Sequence, residues 1–316
     1  MKKHWANILR ILISVGALVF LFWKIGLGET LAVLRRADLR YLLAAFLLVV
    51  LSLVIRAVRW FVLLRGLALG VPLGRLVHLY FVGAFFNAFL PTGFGGDVVR
   101  ALELSGDTNT SAAVGTVLLD RMSGLLVLFA MGLIALPFTF TRLEPWLAGL
   151  LVGIAGGGLL AGALVLEGRF LRRVTGHLPS VLSLRGKGFL AQVYAAVTGC
   201  GRRAVLEALS VSLVFNVVNV LVNWLCGRAV GIPQGPAFYF IVTPLISVTL
   251  LVPVSISGLG VRDWVTVALF GSVGVDANTA AAMSLSLYLV SAAAGLVGGM
   301  LYGIEGLRGL REREPM

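Results

Sequence analysis

The chain has 316 residues, 59% of them hydrophobic, with a formal net charge of +12 and a mean hydropathy of +1.00. A soluble domain of this size cannot bury so much apolar surface, so the composition predicts an integral membrane protein. The basic residues fall mainly between the apolar runs, where anionic lipid headgroups and the positive-inside rule explain them. We therefore expect no nucleic-acid partner.

Six apolar runs are predicted as membrane spans, at residues 1–23, 41–64, 111–136, 146–166, 205–230 and 278–304. A short connection at 24–40 is expected on the outer face. The segment 167–204 is polar and strongly basic, which predicts a cytoplasmic loop. With this anchor, both termini are predicted to lie in the cytoplasm, and residues 1–316 form a single membrane domain.

A seventh apolar run, at 76–90, is too short for the roughly 20 residues that cross a bilayer. It meets a break in which proline removes a backbone donor and glycines favour an open backbone. The break contains Pro91, Gly93, Gly95 and Gly96. We predict a re-entrant helical hairpin at about 76–103 that enters the membrane and leaves on the cytoplasmic side.

A looser copy of this pattern follows the fifth span, and its break contains Pro253, Gly258 and Gly260. It predicts a second hairpin that enters from the outer side. The unit of span, hairpin and span then occurs at 41–136 and again, upside down, at 205–304. The predicted fold is therefore an all-α polytopic bundle with two re-entrant hairpins in inverted-topology repeats, whose binding sites usually lie where the repeats meet.

Charged residues on three consecutive elements are predicted to meet near the first hairpin. They are Arg56 and Arg59, Asp97 and Arg100, and Asp120 and Arg121. Two aspartates cannot neutralise four arginines, and an unpaired charge in a membrane is costly. A purely structural ion-pair network is one interpretation. We favour the other, a cationic cavity that accepts a phosphate through bidentate guanidinium contacts.

Other polar residues lie next to the two breaks. Asn87 precedes the first break and is predicted to contact the ligand, whereas Arg262 and Asp263 follow the second. This last pair is either an outer counterpart of the cluster or a locally neutralised helix end. Three asparagines on one helical face either join helices or line the cavity: Asn216, Asn219 and Asn223.

No feature of the sequence points to an enzyme, a metal site or a cofactor. The histidines His4, His78 and His177 are scattered without ligand spacing. The membrane region contains no Asp-x-x-Asp pair of the kind that holds Mg²⁺ against a diphosphate, and the chain contains no nucleotide-binding loop.

Several motifs in order resemble the lysylphosphatidylglycerol synthase transmembrane-region family, which includes flippase-like integral membrane proteins. They are residues 55–60, Asn87 with Leu90 and Pro91, residues 95–100, residues 119–121 and residues 257–263. The last motif ends in Asp263 where the family pattern has glutamate. The resemblance implies a protein that moves lipids. The family's synthase domain follows the membrane part, so with only twelve residues after the last span we expect no aminoacyl-lipid synthesis.

These observations predict a multi-pass protein of a bacterial-type inner membrane, a flippase or scramblase whose partner is an anionic, phosphate-bearing membrane phospholipid. A secondary transporter of a small soluble anion and a non-catalytic partner of a lipid-modifying enzyme are the alternatives. The headgroup, the direction of movement, a coupling proton or ion and self-association into a homo-oligomer stay open.

Overall fold

The computed structural model describes residues 27–89, 95–139, 145–167, 173, 188–249 and 260–311. Within these ranges the chain forms eleven α-helices and no strand, which confirms the all-α class. The helices are α1 (Leu27–Arg35), α2 (Leu39–Gly66), α3 (Leu73–Phe89), α4 (Gly95–Ser105), α5 (Thr110–Thr139), α6 (Pro145–Glu167), α7 (Phe189–Gly199), α8 (Gly201–Ala229), α9 (Pro236–Thr249), α10 (Val261–Gly271) and α11 (Ala277–Arg311).

Five of the described helices, α2, α5, α6, α8 and α11, are long and apolar enough to cross a membrane. They coincide with the five predicted spans between residues 41 and 304, and they confirm a multi-pass membrane protein. The first predicted span, 1–23, lies outside the described residues.

The predicted connection at 24–40 contains the nine-residue helix α1. Two hydrogen bonds fasten α1 to the first turn of α11. The hydroxyl of Thr30 donates to Asn278 at 3.0 Å, and the amide of Asn278 donates to Glu29 at 2.8 Å. Helix α1 therefore lies on the same side of the molecule as the start of α11.

Part of the predicted basic loop 167–204 is helical. Helix α7 occupies Phe189–Gly199 and packs against α5, and α8 begins at Gly201. The apolar residues Val193, Tyr194 and Val197 are buried in this contact, which explains why the segment folds onto the bundle instead of staying in solvent.

Each of the two predicted hairpin regions contains two described helices that are shorter than the five long ones. Helix α3 has 17 residues and is about 25 Å long, and α4, α9 and α10 have 11, 14 and 11 residues. Within each pair the helices pack on each other, α3 against α4 and α9 against α10. The breaks at Pro91, Gly93, Pro253 and Gly258 lie outside the described residues.

A cluster of exposed ion pairs joins the start of α3 to the end of α4. Arg75, at the start of α3, contacts Glu103 near the end of α4 at 3.0 Å and Asp107 just beyond it at 3.4 Å. All three side chains are between 27% and 42% exposed.

The two halves of the chain pack reciprocally. Helix α2 of the first half packs along α8 of the second half. Helix α3 of the first half packs against α11 of the second, and α9 of the second half packs against α5 of the first. The first helix of each short pair thus packs on the last long helix of the other half, whereas the second, α4 or α10, packs on α5 or α11 of its own half.

The contact between α3 and α11 depends on two adjacent glycines of α11. A Cβ at Gly298 would lie 1.9 Å from the carbonyl oxygen of Phe81, and one at Gly299 would lie 2.6 Å from the ring of Phe85. Small residues at these positions let the two backbones approach closely, as in other membrane helix pairs.

We expect Gly298→Ala to lower the thermal stability of the detergent-solubilised protein, because the new methyl group forces α3 away from α11. The cost of overpacking is about 1–3 kcal/mol. Gly303→Ala is the matched control, since nothing lies within 4 Å of a Cβ there and alanine favours a helix. Equal melting temperatures for both variants would contradict the close approach.

Candidate functional site

A cavity of about 400 Å³ lies between the two halves of the chain. Helices α2, α3, α4 and α5 of the first half and α8, α9, α10 and α11 of the second contribute to its wall. This volume is in the range of small-molecule binding sites. The cavity brings together most of the residues predicted for the site: Arg56, Arg59, Asn87, Asp97, Arg100, Arg121 and Arg262.

Asp120 lies behind the cavity wall and is the centre of its polar network. The carboxylate is 2% exposed. Its Oδ1 lies 2.7 Å from the Nε of Arg59, its Oδ2 lies 3.1 Å from an Nη of Arg100, and Oδ2 also accepts from the hydroxyl of Tyr80. One carboxylate on α5 therefore binds side chains from α2, α3 and α4.

Asp97, in the first turn of α4, is the second carboxylate of the network. It lies 3.2 Å from an Nη of Arg100 and accepts a hydrogen bond from Arg121 on α5. The side chain of Asp97 is 19% exposed, whereas that of Asp120 is 2% exposed. Asp97 is thus the carboxylate that an incoming group can reach.

Arg100 is packed between aromatic rings as well as paired. Its Cζ lies 3.7 Å from the ring centroid of Tyr80 and 4.2 Å from that of Trp60. Such cation–π contacts stabilise a guanidinium that has left water. A Cβ at Gly83 would lie 2.8 Å from the Cδ of Arg100, so the glycine makes room for this side chain.

Arg56 differs from the other three arginines because it forms no ion pair with any described residue. Its Cζ lies 5.3 Å from the ring centroids of both Tyr80 and Phe215, and its buried Nε has no hydrogen-bond partner there. We call Arg56, Arg59, Arg100 and Arg121 the arginine cluster. With Asp97 and Asp120 as the counter-charges among the described residues, these four arginines carry a formal surplus of two positive charges.

Asn87 has a positioning contact in addition to lining the cavity. Its Oδ1 accepts from the backbone N–H of Gly96 at 2.8 Å, which fixes α3 against α4. A Cβ at Gly96 would lie 2.0 Å from the carbonyl oxygen of Gly83. Gly95 and Gly96, predicted as part of the break, form the first turn of α4, where close packing requires the second glycine.

Arg262 and Asp263 lie in the first turn of α10, and of the two only Arg262 lines the cavity. Asp263 caps its own helix by accepting from the N–H of Gly260 at 2.9 Å, and it accepts from the hydroxyl of Ser284. Arg262 donates to the carbonyl of Ser284 at 3.1 Å and lies 3.6 Å from Asp263. Gly260 has a φ of +81°, a left-handed conformation that favours glycine at this turn.

The three asparagines of α8 all line the cavity. Asn216 also joins helices, because its amide donates to the carbonyl of Gly124 on α5 at 2.9 Å. Asn223 donates to the carbonyl of Asn219 at 2.9 Å within its own helix. The whole face therefore lines the cavity, and Asn216 in addition joins α8 to α5.

Sequence reasoning missed the aromatic residues of the site, Trp60, Tyr80 and Phe215. Only Tyr80 had a signal in the sequence, because it lies seven residues before Asn87 and therefore on the same face of α3.

The sequence model of the lysylphosphatidylglycerol synthase TM region matches residues 7–299. The chain belongs to this family. Its motif residues at 56, 59, 87, 97, 100, 120 and 121 are the ones that the structure assembles into the arginine cluster and its contacts.

Individual relatives are all named UPF0104 membrane proteins. One from Pyrococcus horikoshii is 30% identical over 145 residues, which is 45% of this chain and 42% of the relative. One from Methanothermobacter thermautotrophicus is 34% identical over 44% of this chain and 38% of the relative. These two alignments thus span less than half of the relatives' length. A further protein of the second organism is 24% identical over 96% of this chain and 95% of the relative.

We expect Asp120→Asn to destabilise the protein strongly, because it leaves Arg59 and Arg100 without their shared buried counter-charge. Breaking a buried pair in this way costs about 3–5 kcal/mol. The measurement is the denaturation midpoint in detergent.

Asp107→Asn is the control for this change. Asp107 also pairs with an arginine, but it is 42% exposed, and a surface pair contributes at most about 1 kcal/mol. If both variants had the same denaturation midpoint, Asp120 would not be the residue that holds α2, α3, α4 and α5 together.

Proposed function

We propose that the protein moves a phosphate-bearing, anionic phospholipid across the bilayer, as a flippase or scramblase, and that the cavity holds the headgroup. The observation that carries this proposal is Arg56, a cation on the cavity wall with no carboxylate partner among the described residues. Membership of a membrane family that includes the transmembrane part of lipid synthases is consistent with it.

A phosphate group would supply the negative charge that the arginine cluster lacks. An unpaired arginine at membrane depth costs at least about 2.5–3.5 kcal/mol. A phosphate diester carries one negative charge and several acceptor oxygens, and guanidinium groups bind such oxygens in a bidentate manner. Arg56 would provide the first contact, and Arg121 could follow, because its counter-charge Asp97 is partly exposed.

The packing of the helices supports a transport mechanism. In the inverted-repeat arrangement, α2–α5 and α8–α11 would be related halves, with the short pairs entering from opposite sides of the membrane. The reciprocal contacts of α3 with α11 and of α9 with α5 are those expected of such halves. Rocking of one half against the other would then expose the cavity to each leaflet in turn. We propose that the protein lies in a bacterial-type inner membrane, with both termini on the cytoplasmic side.

The residues of the cavity wall fit an enzyme that cleaves lipid phosphates less well than they fit a transporter. Asp97 is the one carboxylate on the cavity wall among the described residues, and it is engaged by two arginines. Enzymes that cleave lipid diphosphates need several free carboxylates to hold Mg²⁺. We therefore propose a non-enzymatic role.

The alternative function is secondary transport of a small soluble anion. The cavity volume favours this candidate, because about 400 Å³ is near the lower end for binding sites and a small anion would fill it. Saturable uptake into vesicles without any lipid movement would support it.

We expect Arg56→Ala to slow transbilayer exchange of anionic lipid at least about tenfold, because a charge-assisted hydrogen bond contributes about 1.5–3 kcal/mol. Purified protein is reconstituted in liposomes with trace fluorescent lipids, and a membrane-impermeant quencher reports the fraction exposed outside. Arg65→Ala is the matched control, since Arg65 is on the same helix, stacks on Phe61 at 5.7 Å and lies outside the cavity. Wild-type exchange in Arg56→Ala would refute the proposed phosphate contact.

Asp97→Asn should bind anionic lipid more tightly and exchange it more slowly. The substitution removes the carboxylate that competes with a phosphate for Arg100 and Arg121, so a bound headgroup leaves less readily. Equilibrium binding in detergent and exchange in liposomes measure the two effects. Glu103→Gln, on the same helix and paired with the exposed Arg75, should change neither. Weaker binding by Asp97→Asn would contradict this role.

A further inference from the structure

Polar side chains follow the contact between α8 and α9. These two helices pack on each other and are joined by the short connection 230–235, so they run antiparallel. A Cβ at Gly227 would clash with the hydroxyl of Tyr239, which places this tyrosine directly against α8. The contact lies close to the connection, because Gly227 is about 3 Å from Ala229, the end of α8, along the helix axis.

The antiparallel packing predicts which residues face each other further along the two helices. Asn223 lies one turn before Gly227 on α8, and Thr243 lies one turn after Tyr239 on α9. Both steps lead away from the connection 230–235. Asn223 is therefore expected opposite Thr243.

One turn further on, the same two helix faces reach the cavity. The residues at that level are Asn219 on α8 and Ser247 on α9, and both line the cavity. We call the facing polar residues of the two helices the polar seam: Asn219, Asn223, Tyr239, Thr243 and Ser247. From Tyr239 to Ser247 the polar seam is about 12 Å long.

Three atoms of the polar seam are buried without a hydrogen-bond partner among the described residues. They are Oδ1 of Asn223 and the hydroxyl oxygens of Tyr239 and Thr243. The three residues are only 3%, 0% and 1% exposed, in that order. Because a buried polar group without a hydrogen bond destabilises a protein, three such atoms in one row indicate a ligand that fills the seam.

The row of unpartnered atoms extends toward the surface at the connection between α8 and α9. Gln234 lies in this connection, and its Oε1 is also buried without a partner among the described residues. Its neighbours Pro233 and Gly235 are exposed. Unpartnered polar atoms therefore occur from the connection inward, to the level just before the cavity wall.

Water is the ligand that fits the polar seam. A hydroxyl group both donates and accepts, and an amide oxygen accepts, so each of the three atoms can bind a water molecule. Buried waters in proteins make about three hydrogen bonds each to groups that are otherwise unsatisfied. A divalent cation is disfavoured, because none of the five seam residues is charged and such cations bind carboxylates.

We propose that the polar seam holds a file of buried water molecules, and that this file carries protons between the cavity and the membrane face on which the connection 230–235 lies. A proton passes from one water to the next, and the hydroxyl groups of Tyr239 and Thr243 take part by accepting one proton and releasing another. A proton that enters at the connection leaves into the cavity, so every group of the file returns to its starting state.

This inference goes beyond the proposed function, because it supplies a route by which a proton gradient could be coupled to the movement of an anion. The route across the whole membrane rests on the proposed transport cycle, since the cavity must open to the other face to release the proton there. The hydration of the polar seam does not depend on that cycle or on the identity of the anion.

The first experiment tests for water in the seam. Thr243→Cys and Val242→Cys are made in a protein that also carries Cys200→Ala and Cys226→Ala. Val242 is the matched control, since it is 0% exposed on the same helix but belongs to the apolar core. A thiol reacts as its thiolate, which needs contact with water, so silver ions should react with Thr243→Cys at least about tenfold faster than with Val242→Cys.

The folded proteins are treated with silver ions in detergent, and the thiols that remain are labelled with maleimide after denaturation. The rate measured on each denatured variant is its own reference, which separates a hydrated thiol from an unfolded protein. Equal rates for the two folded variants would overturn the water file, whether or not the protein moves lipid.

The second experiment measures proton flux in liposomes of anionic phospholipid that contain a trapped pH-sensitive dye. Valinomycin and potassium compensate the charge that moves with the protons. Thr243→Val and Tyr239→Phe keep the shape of the side chain and remove its hydroxyl group. Each should lower the protein-dependent flux about fivefold, the effect of one neutral hydrogen bond.

Thr266→Val is the control for these variants. Thr266 is also buried, at 2% exposure, but its hydroxyl donates to the carbonyl of Arg262 at 2.8 Å in its own helix. Its replacement should leave the flux unchanged. A wild-type flux equal to that of empty liposomes, or an unchanged flux in both seam variants, would overturn the proton route. Lipid exchange measured in the same liposomes tests the proposed function separately.

Discussion

The requirement that buried guanidinium groups find counter-charges governs the arrangement of this bundle. Asp120 on α5 meets it for Arg59 and Arg100 together, and it also binds the hydroxyl of Tyr80. Because these partners come from α2, α4 and α3, a single carboxylate determines how four helices meet. The short pair α3 and α4 thereby gains polar contacts to two long helices in addition to its apolar ones.

The same requirement explains why the cavity is cationic. The short distances of the network depend on glycines, since a Cβ at Gly124 would lie 2.6 Å from Arg59 and one at Gly83 would lie 2.8 Å from Arg100. Once these side chains are packed against Asp120, no acidic residue of the described structure remains for Arg56. The lack of a carboxylate for Arg56 among the described residues is therefore a property of the whole cluster, and this cation lines the cavity.

Local patterns allowed much of the fold and the charged part of the site to be predicted from the sequence. Long apolar runs identified the five described spans, and charges inside them identified the cluster, because such charges are rare at membrane depth. Helix α7 was missed since its apolar run is only 11 residues long and interrupts a basic segment. Pairings such as Tyr80 with Asp120, or Arg100 with Trp60, depend on tertiary packing between distant helices and leave no local pattern.

The first short helix pair is held at its two ends by ion pairs of different character. Arg75, Glu103 and Asp107 join the start of α3 to the end of α4 on an exposed surface, where an ion pair weakens as the salt concentration rises. Asp97 and Asp120 hold the other end inside the bundle, where screening is weak. Ionic strength therefore acts mainly on the exposed end of the pair, so salt would loosen that end while the buried ion pairs of Asp97 and Asp120 stay intact.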